Sequence, residues 1–173
     1  RPRPSLDDKV LTSWNGLMIS ALAKAAGALG EPRYLAAAQK AAAFLRENLY
    51  DEKPQILWRR WRNGKRAVAA ISDDYAFLAQ GLIDLFEASG EPQWLQWALE
   101  LTQVQQKLFE APGGGLYMTA AGQEEHLLAR VVEDTDNVEP AASSVAAMNL
   151  LRLWKYTQRD ELRLAADGMI RRF

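Results

Sequence analysis

The amino-acid sequence predicts an all-α protein of tandem helical hairpins that form about half of an (α/α)6 toroid, with short β-hairpin excursions on one rim. Three features of the sequence support this fold class. A hairpin pattern occurs three times, wholly apolar helices alternate with amphipathic ones, and long connections recur at equivalent points. Self-similarity at a fixed period decides the fold before any single element does.

The repeat is clearest where Gly30-Glu31-Pro32 returns as Gly90-Glu91-Pro92, at an offset of 60 residues. A third copy follows at a further offset of about 68 residues, because Leu82 corresponds to Leu150. Glycine suits the end of a helix, and proline is tolerated in a first helical turn, where no N–H partner is needed. Each copy is therefore one hairpin, and the predicted hairpins cover residues of about 10–50, 72–110 and 140–173.

The two helices of each hairpin differ in character. The first helices, at about 13–29, 74–89 and 142–157, carry small and aliphatic residues on nearly every face, which is typical of helices buried on most sides. The second helices, at about 32–49, 92–109 and from 160 onward, have Gln, Lys, Arg and Glu on one side only. Buried inner helices that alternate with half-exposed outer helices indicate an α/α toroid or a helical solenoid.

The connections between hairpins favour the toroid. Residues 56–71 alternate aromatic and arginine side chains around Asn63-Gly64, a strong signal for a two-residue β-hairpin turn. Residues 113–134 repeat the pattern, with a turn expected near Gly122 and a strand from His126 to Val132. Long excursions at equivalent points predict loops built over one rim, where toroidal enzymes place their sites.

The composition excludes several classes of function. Twenty-one Lys and Arg against 22 Asp and Glu provide no basic field for nucleic acid, so the aromatic and basic run at residues 58–62 is read as a β-hairpin. Cysteine is absent and His126 is the single histidine, so we expect no metal site and no cofactor. No apolar run reaches about 18 residues without a charge, so no membrane partner is expected and the predicted location is cytoplasmic.

A polar cluster lies at the N-terminus of each inner helix. These side chains could simply cap the helices, because Ser, Asp and Asn accept hydrogen bonds from the free N–H groups there. Capping needs one residue per helix, however, and each cluster offers two or three polar groups beside an aromatic. The clusters are Asp7-Asp8-Lys9 with Trp14-Asn15, then Ser72-Asp73-Asp74-Tyr75, and then Asp134-Thr135-Asp136-Asn137 with Ser143-Ser144.

Carboxylates beside aromatic rings suit a sugar or glycan ligand, because carboxylates bind hydroxyl groups and aromatic faces cover the apolar side of a sugar ring. Paired carboxylates also suit acid and base chemistry on sugars. The predicted catalytic residues are Asp73, Asp74 and Asp136, and the predicted substrate-binding residues are Trp14, Asn15, Tyr75 and Asn137. Core packing is the alternative for each aromatic, and His126 is either a surface-loop residue or a general base.

Four segments carry a resemblance to a known family. The first 19 residues, RPRPSLDDKVLTSWNGLMI, resemble a signature of thioredoxin-domain proteins of the YyaL and spermatogenesis-associated protein 20 type. SDDYAFL from Ser72, DNVEP from Asp136 and SVAAMNLLRL from Ser144 resemble its later blocks. The resemblance implies a thioredoxin-like domain followed by a six-hairpin toroid similar to N-acylglucosamine 2-epimerases, cellobiose epimerases and six-hairpin glycosidases. This chain would form the middle of that toroid.

Two departures from the family pattern leave the function open. Ser5 stands where the family usually has His, and Pro140-Ala141-Ala142-Ser143-Ser144 replaces its usual Pro-Ser-Gly-Asn-Ser. One hypothesis is a toroid with epimerase-like, isomerase-like or glycosidase-like acid and base chemistry on a sugar. The alternative is a non-catalytic scaffold, attached to a thioredoxin-like domain, that binds a ligand or a protein. Three hairpins would also leave apolar flanks open, so we expect the chain to self-associate.

Overall fold

The computed structural model describes residues 3, 6–122, 128–132 and 135–172. Ser5, His126 and Asp134 lie outside these residues. The described residues form six helices in three consecutive hairpins, which confirms the predicted fold class. The helices are α1 (Thr12–Leu29), α2 (Pro32–Leu49), α3 (Ser72–Ser89), α4 (Pro92–Phe109), α5 (Ala142–Thr157) and α6 (Asp160–Ile170).

The break inside each hairpin is a residue in the left-handed conformation. Gly30 and Gly90 end α1 and α3 with φ values of 66° and 71°, which glycine adopts without a steric penalty. Gln158 makes the third break with φ 56°, so the last hairpin turns at the expected place without a glycine.

The inner helices α1, α3 and α5 run parallel, and their N-termini meet at one rim. The backbone of α1 contacts that of α3 because Gly16 and Gly81 lack side chains, and a Cβ added at Gly16 would lie 2.5 Å from the carbonyl carbon of Phe77. On the other side of α3, Asn149 of α5 donates a hydrogen bond of 2.8 Å to the carbonyl of Ala76. Helix α3 is therefore enclosed by α1, α4 and α5, and its inward residues join the main core, which includes Ile19, Leu45, Leu78, Leu82, Trp97, Leu101, Phe109 and Leu150.

A small antiparallel sheet lies over this rim. Its strands are β1 (Val10–Leu11), β2 (Tyr50–Asp51), β3 (Ile56–Arg62) and β4 (Lys65–Ala69), and β3 pairs with the other three. Asn63 and Gly64 have φ values of 51° and 71°, as the predicted two-residue turn requires. Because β1 leads directly into α1 and β4 precedes α3, the sheet holds the two helix N-termini together.

The second excursion is less regular than expected. Isolated bridges join Glu110 to Leu116 and Tyr117 to Val132. Three consecutive glycines, at residues 113–115, all have positive φ and interrupt the extended backbone. The segment is instead fastened by Arg130, whose guanidinium donates hydrogen bonds to the carbonyls of Thr119 and Leu108 and lies over the ring of Tyr117. None of the helices in the described ranges is long and apolar enough to cross a membrane.

Candidate functional site at the inner-helix rim

Asp74 ties the rim together from inside the protein. Its side chain is fully buried, and its Oδ1 accepts a hydrogen bond of 3.0 Å from the backbone N–H of Ser13 in α1. Its Oδ2 accepts one of 3.0 Å from the N–H of Ile71 and one of 2.9 Å from Arg59 on β3. Burial raises the pKa of Asp74, while Arg59 and the two backbone donors act in the opposite direction. The carboxylate thus binds backbone N–H groups at the starts of α1 and α3 and the guanidinium of Arg59, and it does not reach the surface.

Tyr75 also lies in the interior. Its side chain is buried, its ring packs against Phe109 at 5.5 Å, and its hydroxyl oxygen accepts a hydrogen bond of 3.4 Å from the N–H of Leu57. The reason is the enclosure of α3, in which Asp73 alone among residues 72–79 is not buried. Tyr75 therefore fills the core, which was the alternative reading of this aromatic.

Asp73 is the carboxyl group of this cluster that reaches solvent. It is half-buried, and the hydroxyl of Ser72 donates a hydrogen bond of 3.3 Å to its Oδ1. Burial raises the pKa of Asp73, and the nearby charge of Glu139 adds to the rise. The charge of Arg59 and the bond from Ser72 oppose it without cancelling it. Asp73 is thus a carboxyl group that holds its proton more tightly than an exposed aspartate does.

Trp14 and Glu139 form the outer part of the rim. Trp14 is 60% exposed, and its Nε1 donates a hydrogen bond of 2.5 Å to Oε1 of Glu139. This bond joins the first turn of α1 to the segment before α5, so the pair spans the N-termini of the first and third inner helices. Sequence reasoning missed Glu139 as a site residue. The available signal was its position in the third polar cluster, directly before Pro140.

The remaining predicted residues make local hydrogen bonds at the rim. The Nδ2 of Asn15 donates a hydrogen bond of 2.7 Å to the carbonyl of Leu11, one turn earlier. Asp136 is exposed, and its Oδ1 accepts a hydrogen bond of 2.9 Å from the N–H of Ala141, the residue before α5. Asn137 is exposed, and its Oδ1 accepts a hydrogen bond of 2.9 Å from the backbone N–H of its neighbour Val138. The structure therefore brings Trp14, Asp73 and Glu139 together, and places Asp136 and Asn137 beside them in a turn.

Within residues 6–122, 128–132 and 135–172, no group of three or more His, Cys, Asp or Glu side chains is arranged to hold a metal ion. The chemistry of the rim is that of the accessible carboxyl groups of Asp73, Asp136 and Glu139, together with an exposed indole and a guanidinium.

Comparison with known proteins identifies the family. No protein-family model matches the chain. The chain is 41% identical over 166 residues to spermatogenesis-associated protein 20 of Homo sapiens, which covers 91% of the chain and 21% of that protein. The chain belongs to the family of spermatogenesis-associated protein 20. An uncharacterized protein of Caenorhabditis elegans is 36% identical over 178 residues, covering 99% of the chain and 24% of that relative. The chain thus spans about a fifth to a quarter of the length of these relatives.

Solved structures show which fold this part of the spermatogenesis-associated protein 20 family has. A cellobiose 2-epimerase from Spirochaeta thermophila superposes with a TM-score of 0.70 at 19% identity, over 92% of this chain and 42% of the epimerase. A family 76 glycoside hydrolase from Bacteroides thetaiotaomicron superposes with a TM-score of 0.74 at 16% identity, over 96% of this chain and 35% of the hydrolase. A D-mannose isomerase superposes with a TM-score of 0.70 at 15% identity, over 95% of this chain and 42% of the isomerase. At these identities the likeness establishes the α/α toroid fold.

Proposed function

We propose that the rim around Asp73 binds a sugar and that Asp73 acts on it as a general acid or base. One observation carries the proposal. Asp73 is a solvent-accessible carboxyl group with a raised pKa, and it lies beside an exposed tryptophan and a second carboxylate. Functional acids and bases in proteins are often found with this combination of burial and a nearby like charge.

The two carboxyl groups suit different roles. Glu139 accepts a hydrogen bond from the Trp14 indole. The pKa of Asp73 is raised by burial, with a further rise from the charge of Glu139. Asp73 would then donate or accept the proton, and Glu139 would bind sugar hydroxyls. The exposed face of Trp14 would cover the apolar side of the sugar ring.

The fold supports a sugar as the ligand class. The similar solved proteins include a cellobiose 2-epimerase, a D-mannose isomerase and a glycoside hydrolase. Epimerisation and isomerisation move a proton at carbon, and glycoside hydrolysis requires an acid at the leaving oxygen. Each reaction therefore uses an acid or a base, and a carboxyl group with a raised pKa can fill that role. Fold similarity alone does not choose among these reactions.

The test is turnover of cellobiose and mannose by the purified protein, followed by NMR of the sugar. We expect Asp73→Asn to lower the rate by about 100-fold or more, because general acid–base catalysis contributes on that order. The control is Asp160→Asn, the same substitution at an exposed position in the first turn of α6, which should leave the rate unchanged. Full activity of Asp73→Asn would refute a catalytic role for this residue.

A second candidate function is binding without catalysis. The observation in its favour is that Asp74 is fully buried, so fewer carboxylates reach a ligand than the sequence suggests. A binding domain would take up mannose or cellobiose in calorimetry without forming product. Trp14→Ala would then abolish binding, while Asp73→Asn would weaken it only modestly.

A further inference from the structure

A cavity lies on the inner side of the hairpins and adjoins the rim at Asp136. This inner cleft has a volume of about 500 Å³ and lies between α1, α3 and α5. It extends from Asp136 at the rim to Lys24 and Arg152 in the C-terminal halves of α1 and α5. Its size is within the range of about 300–1,000 Å³ that is typical of small-molecule sites.

Both cations of the inner cleft are paired with carboxylates. Asp84 of α3 is buried, with Lys24 at 3.1 Å and Arg152 at 2.6 Å from its carboxylate. Arg152 also lies 2.8 Å from Glu87. The described lining thus holds the carboxylates of Asp84, Glu87 and Asp136 against two cations, and both cations already have carboxylate partners. An anionic ligand would find no free cation on these described walls.

Two amide side chains of the inner cleft have unused hydrogen-bonding groups. Asn149 is 1% exposed and uses its Nδ2 to bind the carbonyl of Ala76, but its Oδ1 is buried without a partner in the described part of the chain. Buried acceptors are nearly always satisfied, so an unpartnered acceptor in a residue that lines a cavity indicates a missing donor. Gln80 lines the cleft from α3 and is half-buried, and its amide has no hydrogen bond to any described residue.

We propose that the inner cleft is a binding site for an uncharged, polyhydroxylated molecule such as a sugar or a polyol. A ligand hydroxyl donates to Oδ1 of Asn149, and the amide of Gln80 binds a second hydroxyl. The internally paired charges exclude acidic sugars and sugar phosphates. This site adjoins the rim at Asp136, but its lining includes neither Asp73 nor Trp14, and its existence does not depend on chemistry at Asp73.

The experiment is a titration of the ¹⁵N-labelled protein, followed by NMR. The side-chain amide signals of Asn149 and Gln80 report on the inner cleft, and the indole signal of Trp14 reports on the rim. The ligands are mannose and cellobiose, with glucuronate as the anionic comparison. We expect both amide signals to move with the neutral sugars and to stay in place with glucuronate.

Matched variants complete the test. Gln80→Ala should raise the dissociation constant measured at Asn149 by about 3- to 10-fold, the loss expected for one hydrogen bond. Gln103→Ala, on the exposed face of the outer helix α4, should leave it unchanged. Trp14→Ala should remove binding at the rim and preserve the shifts of Asn149.

Each of four results would overturn the proposal: shifts confined to Trp14, glucuronate binding as tightly as mannose, an unchanged constant in Gln80→Ala, or no shift of Asn149 with either neutral sugar. Shifts at Asn149 without any response at Trp14 would instead support the inner cleft and count against the proposed rim site.

Discussion

At the scale of single residues, Asp73 and Asp74 are chemically identical neighbours with opposite environments. The helical rotation between them turns Asp74 toward α1 and β3, where it accepts three hydrogen bonds, and turns Asp73 toward solvent. The sequence alone could predict that a carboxylate stands at this helix start. It could not assign the two roles, because the difference depends on Ser13 and Arg59, which are distant in sequence.

Asp74→Asn should therefore destabilise the protein. Capping preferences alone treat Asn and Asp as nearly equivalent, so an expectation based on capping would be a neutral change. In the structure, an amide would place an N–H₂ group against one of the three donors and leave Arg59 without its carboxylate partner. We expect a loss of about 2–4 kcal/mol in the free energy of unfolding, measured by urea denaturation.

Asp73→Asn is the matched comparison, and its effect should depend on pH. Burial raises the pKa of Asp73 in the folded chain above its value in the unfolded chain, with a further rise from Glu139. The folded state then binds the proton more tightly. The stability from this group is fully present below the unfolded pKa of about 3.9 and decreases as pH rises through the folded pKa. Asp73→Asn removes this decrease, so its melting temperature relative to wild type should rise between about pH 3 and pH 7. A difference that stays constant with pH would contradict a raised pKa.

At the scale of elements, the close contact of α1 and α3 sets the geometry of the rim. The missing side chain at Gly16 lets the two backbones approach, and Asp74 can reach Ser13 as a consequence. Gly16→Ala would place a methyl group 2.5 Å from the carbonyl carbon of Phe77. Overpacking of about 1–3 kcal/mol or more should outweigh the gain of about 1 kcal/mol in helix propensity. We expect a net loss of about 2 kcal/mol in chemical denaturation.

Gly27→Ala is the control on the same helix. A Cβ at Gly27 would meet nothing within 4 Å, so the substitution should gain about 0.5–1 kcal/mol from helix propensity. A loss of unfolding free energy in Gly16→Ala together with a gain in Gly27→Ala would show that packing against α3 causes the loss. Two equal stabilisations would mean that the helices lie further apart than described.

Elements also show where sequence reasoning succeeds. Gly30 and Gly90 mark hairpin breaks because few residues tolerate positive φ, and Asn63-Gly64 marks a turn for the same reason. The third break at Gln158 could be placed only through the repeat. The second excursion could not be predicted in detail, because its conformation depends on bonds from Arg130 to carbonyls of residues 108 and 119.

At the scale of the whole molecule, the chain corresponds to about two-fifths of a complete ring. It covers 42% of the similar cellobiose 2-epimerase. In a closed ring the first and last hairpins each contact a further hairpin, and here those faces are open. Large apolar side chains are exposed on the first and last hairpins, namely Trp14, Met18 and Leu29 on α1, Met148 on α5, and Leu164 and Ile170 on α6.

Each open face is of the kind that packs on a neighbouring hairpin in a closed ring, so a second copy of the chain can cover it. Apolar surface of this kind is usually covered. We expect the purified chain to be a dimer or larger at micromolar concentration in size-exclusion chromatography with light scattering. Ile170→Glu, at a position that is 53% exposed beside the apolar groove between α5 and α6, should shift it toward monomer. Val68→Glu, at a position that is 55% exposed on the β-hairpin, should not. A monomeric wild-type chain, or equal effects of the two charges, would mean that the open faces do not drive association.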